Sequence, residues 1–244
     1  MGYIRISTYK AAEHLVKALW RAGTMHELIE DGGDIFTFKT PKGSTVSVHF
    51  IESSLPLYEI RNTLEYNQKR GHYTLFMLWS RMMLPHHAQV YEPEDWMAAL
   101  LKLYDERIYG YDVFEGEVFL FPVNFRGEHL RRYVEYGTTI HPEQLTLREV
   151  ETTLPGLEGT WRIADMNGTG QDANRQRMSV DELSTLDEKY VLLGVTPADD
   201  IDTIKKAYRL LARRYHPDTN TSAEAHDMMQ KINNAYQQIM KSLE

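Results

Sequence analysis

The sequence predicts an α+β domain over residues 1–165, a mixed or antiparallel sheet with flanking helices, and then an all-α helical hairpin over residues 185–244. Three observations carry that class. Apolar and polar residues alternate with a period of two in DIFTFKT and STVSVHFIE, the pattern of half-buried strands. The segments RIYGYDVF, EVFLFPVNF and LRRYVEY, between Arg107 and Leu154, are aromatic-rich and strand-like. Beyond the polar stretch MNGTGQDANRQRMS the apolar residues recur instead at intervals of three and four, the helical period. In residues 1–165 the order helix, three strands, helix, strand, then helix and further strands implies an α+β domain.

The elements follow in order. Ser7 is placed to cap a first helix running to about Arg21, with Tyr9, Ala12, Leu15, Val16 and Leu19 on one face and Gly23 as its stop. MHELIE, DIFTFKT and STVSVHFIE, separated by DGG and Pro-Lys-Gly turns, read as hairpin strands. Pro56 opens a second helix whose inner side carries Leu57, Ile60, Leu64 and Tyr66, closed by Gly71. HYTLFMLWSRMM is nearly continuous in apolar residues and reads as a buried strand. A third helix spans Pro93 to Leu103, with Trp96, Met97, Leu100, Leu101 and Leu103 inward. The stretch 107–154 predicts further antiparallel sheet, and residues 166–184 read as a linker.

Composition narrows the function classes. The apolar fraction is 42% and the charged fraction 25%, values of a folded chain. With 27 basic and 35 acidic side chains the net charge is −8, which argues against a bulk nucleic-acid binder. Cysteine is absent, so thiolate nucleophiles, disulfides and cysteine zinc sites are excluded. The N-terminal residues turn charged and amphipathic instead of forming an apolar signal core, and no run is long enough to span a bilayer. A soluble, cytoplasmic protein with no membrane partner is expected.

The C-terminal sixty residues are the most informative. A short helix near Asp187 to Leu193 is ended by Gly194. Between Asp202 and Tyr215 a single helical stripe holds Ile204, Ala207, Tyr208, Leu211 and Tyr215. The outer face carries Lys205, Arg209 and Arg213 at four-residue intervals, with Lys206 and Arg214 beside them. Pro217 cannot continue a helix and disfavours helical geometry at His216, so the chain turns at His216-Pro217-Asp218. A second helix runs from Ala223 to about Met240, offering Ala225, Met228, Met229, Ile232, Ala235, Tyr236 and Ile239 inward, with Thr221 or Ser222 as its cap.

These residues resemble the J-domain of DnaJ-type co-chaperones. The likeness runs through Tyr190, Leu193-Gly194-Val195, Ile204, the KKAYR run, Leu211-Ala212, Tyr215-His216-Pro217-Asp218 and Ile232 to Tyr236. It implies that Lys205, Tyr208, Arg209, Arg213 and Arg214 dock on an acidic surface of a DnaK-type heat shock protein 70 chaperone. It also implies that His216, Pro217 and Asp218 form the loop that stimulates the partner's ATP hydrolysis. No catalysis, cofactor or metal of the chain's own is implied. Thr219 stands where the family often has lysine, and Met229 where it often has phenylalanine. The sequence lacks the fourth helix of many J-domains, a Gly/Phe-rich segment and a cysteine zinc repeat, which points to a specialised protein whose first domain selects an unknown client or a location.

In that first domain the order helix, three strands, helix, strand is also that of restriction-endonuclease-like folds. Those hold a metal with an Asp and a Glu-x-Lys; here Asp34 is in place, but SVHFIES offers only His49 and Glu52, so an active nuclease of that kind is not expected. His86-His87 with Glu92, Glu94 and Asp95 read as a solvated loop and not a metal site, and His26, His72, His129 and His141 are isolated. The aromatic residues Tyr109, Tyr111, Phe114, Phe119, Phe121 and Phe125 read as strand core in preference to a stacking platform. Arg126 and Arg131-Arg132 make a small basic patch, and Gly168-Thr169-Gly170 lacks the pattern of a phosphate loop. The competing reading is a nuclease-like or nucleic-acid-binding module to which the helical domain recruits a chaperone.

Overall fold

The computed structural model describes residues 5–85, 90–114, 116–126, 132–137, 139–166, 187–195, 197, 199–216 and 223–243. His86, His87, His129, Arg131, Gly168–Gly170, Pro217, Asp218 and Thr219, with almost all of the expected linker, lie outside them. The chain divides into two compact units, Met1–Thr169 and Gly170–Glu244. The class is as the sequence predicts: a mixed sheet with flanking helices in the first unit and helices alone in the second.

The first helix, α1 (Ile6–Arg21), buries Thr8, Ala11, Ala12, Leu15 and Leu19, spaced as one helical face. Tyr9 falls well outside that arc and is exposed, contrary to its expected inward position. Ser7 does not cap the helix, which starts one residue earlier. Instead the carboxylate of Glu52 accepts the N–H of Arg5 at 3.0 Å and the hydroxyl of Thr8, which puts negative charge at the positive end of the helix.

β1 (Glu27–Asp31), β2 (Ile35–Lys39) and β3 (Thr45–Ile51) form the expected antiparallel meander. α2 (Leu57–Lys69) then crosses over to β4 (His72–Trp79), which pairs parallel with β3 from Thr45↔His72 to Ile51↔Leu78. Strands with both faces covered read as continuous apolar runs, which is why β4 shows no alternation. On α2 Ile60, Leu64 and Asn67 face inward, whereas Tyr66, expected there, is exposed. The strand expected over the whole of HYTLFMLWSRMM stops at Trp79, and Ser80–Met83 form a short helix, α3.

After β5 (Val90–Tyr91) and α4 (Asp95–Leu103), the strands β6 (Arg107–Phe114), β7 (Glu117–Arg126) and β8 (Arg132–Tyr136) run as an antiparallel meander. β9 (Thr146–Thr152) and β10 (Gly159–Asp165) form a hairpin. The sheet branches at β4, whose free side is shared: Thr74 pairs with Ile163 of β10, and Met77 to Trp79 pair with Tyr109 to Tyr111 of β6. Between the two branches the buried hydroxyl of Tyr104 accepts the N–H of Phe76 at 3.0 Å and donates to the carbonyl of Thr74 at 3.1 Å. The N–H of Phe76, which lies between the residues of β4 paired with β10 and with β6, is thereby satisfied. Tyr109, Tyr111, Phe119, Phe121 and Phe125 are all buried in the core, as expected of strand aromatics. Close packing is visible at Gly110, where a Cβ would come within 2.7 Å of the Phe121 ring.

Candidate functional site

The second unit is built on α5 (Asp187–Leu193), α6 (Ile201–Arg214) and α7 (Ala223–Ser242). Asp200 caps α6, its carboxylate accepting the N–H of Thr203 at 2.7 Å. Ile204, Ala207, Leu211 and Tyr215 pack with Tyr190, Leu193 and Val195 and with Ala225, Ile232, Ala235 and Ile239 of α7. Each fully buried isoleucine or leucine contributes about 1.5–3 kcal/mol. Met228, Met229 and Tyr236 pack half-buried against this core. Leu210 is also buried, although it stands off the stripe read from the sequence. Gly194, at φ +71°, closes α5 in the left-handed conformation that glycine favours.

With that stripe turned inward, three of the cations take the other side of α6. Lys205, Lys206 and Arg209 are exposed, and Arg209 donates through Nε to the carbonyl of Lys205 at 3.4 Å. Arg213 and Arg214 are half-buried in the last turn, where positive charge also complements the helix dipole. The four cations expected to dock, Lys205, Arg209, Arg213 and Arg214, therefore fall into an exposed pair and a half-buried pair nearer the helix end.

Tyr208 is placed differently from the exposed cations. Its ring stacks on Tyr236 with centroids 4.1 Å apart and an interplanar angle of 19°. Its hydroxyl donates to Asn233 Oδ1 at 3.0 Å, tying α6 to α7. α6 ends with Tyr215 N–H on the carbonyl of Leu211 at 3.0 Å, and His216, on the carbonyl of Arg213 at 3.4 Å, is exposed at its tip. Pro217 and Asp218, the rest of the tripeptide, lie outside the described residues.

The candidates of the first unit have internal roles. Glu52 caps α1, and Asp34 offers its carbonyl to Phe50 at 2.7 Å. His49 is buried; its Nε2 takes a hydrogen bond from Asn67 Nδ2 at 2.9 Å, and the same nitrogen of Asn67 donates to Thr74 Oγ1 at 3.0 Å. Burial pushes the His49 imidazole down to about 4. His72 bonds Ser47 at 3.0 Å, His141 pairs with Glu143 at 3.1 Å, and Glu94 accepts from the Trp96 indole at 2.8 Å. Arg126 pairs with Glu135. Among the described residues no three His, Asp or Glu side chains converge as a metal site, and no helix is long and apolar enough to cross a membrane.

Residues 188–242 match the family model described as the DnaJ domain. A curved DNA-binding protein of Serratia proteamaculans is 50% identical over 48 residues, which cover 20% of this chain and 16% of that protein. The chaperone protein DnaJ of Brevibacillus choshinensis is 51% identical over 47 residues, 19% of this chain and 12% of that protein. The DnaJ of a Synechococcus strain is 54% identical over 48 residues, 20% of this chain and 13% of that protein. The second unit thus carries a DnaJ domain, as the pattern from Tyr190 to Tyr236 leads one to expect. The chain spans less than a fifth of the length of each of these relatives.

Proposed function

We propose that this protein is a J-domain co-chaperone of the cytoplasm, not itself an enzyme, in which residues 185–244 dock on a DnaK-type heat shock protein 70 chaperone and stimulate its ATP hydrolysis. Residues 166–184 serve as the linker, and residues 1–165 select a client protein or a location. The observation that carries the reading is the outward row Lys205, Lys206 and Arg209 leading to an exposed His216, in a segment matching the DnaJ domain. A cationic helix face speeds encounter with an acidic surface. Arg213 and Arg214 extend it, and His216, Pro217 and Asp218 are the residues that stimulate the partner. The loop acts as an allosteric ligand: it raises the partner's hydrolysis by binding one conformation of the ATPase better than another.

The test is steady-state ATP hydrolysis by a DnaK-type chaperone with and without the full chain. Stimulation by the natural sequence, abolished in His216→Gln and in Asp218→Asn with the melting temperature unchanged, is the expected result. A variant that loses stimulation only because it unfolds would instead make the loop a structural element.

A further inference from the structure

We propose that the outer face of α1 is the surface through which the N-terminal unit takes its client, and that what it takes is an acidic, amphipathic segment of another protein. This rests on reading that unit as the part that confers specificity. Ile6, Tyr9 and Trp20 are 78%, 56% and 59% exposed, although the opposite face of the same helix is fully buried. At 100° per residue the three fall within an arc of about 60°, and Ile6 to Trp20 spans about 21 Å of helix. Beside them, in an adjoining arc, stand Lys10, Lys17 and Arg21.

The charge on this face opposes that of the molecule. α1 carries three cations against one acid, Glu13, in a chain of net charge −8. Glu13, which stands within the arc of Ile6, Tyr9 and Trp20, pairs with Lys17 at 2.5 Å, while Lys10 and Arg21 make no ion pair among the described residues. Tryptophan, tyrosine and arginine are the side chains that most often dominate binding energy at protein interfaces. Nucleic acids and anionic bilayers present dense negative charge, and binding them takes many cations against the repulsion of so acidic a chain. A protein segment with one or two carboxylates needs only local pairing, because remote charges are screened beyond about 8 Å at physiological salt. The occupant therefore has apolar side chains to cover Ile6, Tyr9 and Trp20, and carboxylates set to meet Lys10 and Arg21, which lie about 16 Å apart along the helix.

The probe is a fluorescent amphipathic peptide of about 18 residues, five turns, with leucines on one face flanked by glutamates, and a lysine-flanked counterpart as control. Binding of the glutamate peptide alone is expected for the full chain. Trp20→Ala and the pair K10Q/R21Q each weaken it by about tenfold or more, with circular dichroism unchanged and melting little changed, because these side chains are exposed and no charge is reversed at the helix end. Equal binding of the lysine peptide, unaltered affinity in the variants, or capture of phosphatidylserine vesicles or duplex DNA in place of the peptide overturns the proposal. Stimulation of chaperone ATPase, measured on the same proteins, separates the two readings. A chain that stimulates but binds no glutamate peptide removes the α1 surface and leaves the co-chaperone. A chain that binds the peptide but does not stimulate does the reverse.

Discussion

His49 sits in the sheet as a neutral imidazole accepting from Asn67, and a proton on Nε2 would set two donors against each other. Its folded value of about 4 lies below the ordinary value of 6.5, so the unfolded chain binds the proton more readily. Stability from this site is therefore fully present above pH 6.5 and is lost as pH falls from there to about 4. The loss amounts to about 3 kcal/mol, at roughly 1.4 kcal/mol per pH unit. His72, lowered chiefly by its own burial and then by Arg70, adds to it in the same direction. Chemical denaturation at pH 7 and pH 5 checks this: His49→Gln flattens the pH dependence, and an equal slope in both proteins refutes the account. Tyr208 makes a second residue-scale case. Tyr208→Phe keeps the stack on Tyr236, so it costs only about 1 kcal/mol for the lost bond to Asn233 and leaves ATPase stimulation intact. Tyr208→Ala costs about 2–3 kcal/mol and weakens stimulation through folding. A Phe variant that is fully stable yet inactive would make the hydroxyl a docking contact.

At the scale of elements the branch at β4 is the weak point of the sheet, because β10 and β6 each cover only part of one strand. The Tyr104 hydroxyl closes the gap, and burial holds that phenol well above its usual pKa. Tyr104→Phe leaves the buried N–H of Phe76 without it, at about 1–3 kcal/mol for a buried group left unsatisfied. Denaturant unfolding with a loss under about 0.5 kcal/mol, the range of a neutral surface change, would show that water or a strand shift replaces it. Tyr109 seals the same junction by donating to Asp165 and accepting the N–H of Met166 at 3.2 Å. None of this is readable from periodicity, which marks Tyr104 and Tyr109 only as aromatic and near strands. The same limit explains the misplaced Tyr9 and Tyr66: an aromatic residue beside an apolar stripe looks inward until the helix's actual buried arc is known. Ser7 is the converse, a good capping residue displaced by a carboxylate from another element.

For the whole molecule, a net charge of −8 coexists with a cationic helix in the DnaJ domain. If that helix steers the encounter, raising salt from low to high should weaken apparent affinity for the chaperone by about tenfold or more. Titrating the chain into the ATPase assay at several salt concentrations measures this, and a flat response would take the docking face off α6. The sequence alone determined the α+β and helical classes, the meander of β1 to β3, the buried stripe of α6 and α7, and the identity of residues 188–242 as a DnaJ domain. It could do so because helix and strand periods, and the spacing from Tyr190 to Tyr236, are local properties of neighbouring residues. Tertiary structure decided the Glu52 cap on α1, the branching of the sheet, the stack of Tyr208 on Tyr236 and the exposure of Trp20. Each of those depends on groups brought together from distant parts of the chain, or on which face of a helix its neighbours cover, and no local pattern encodes either.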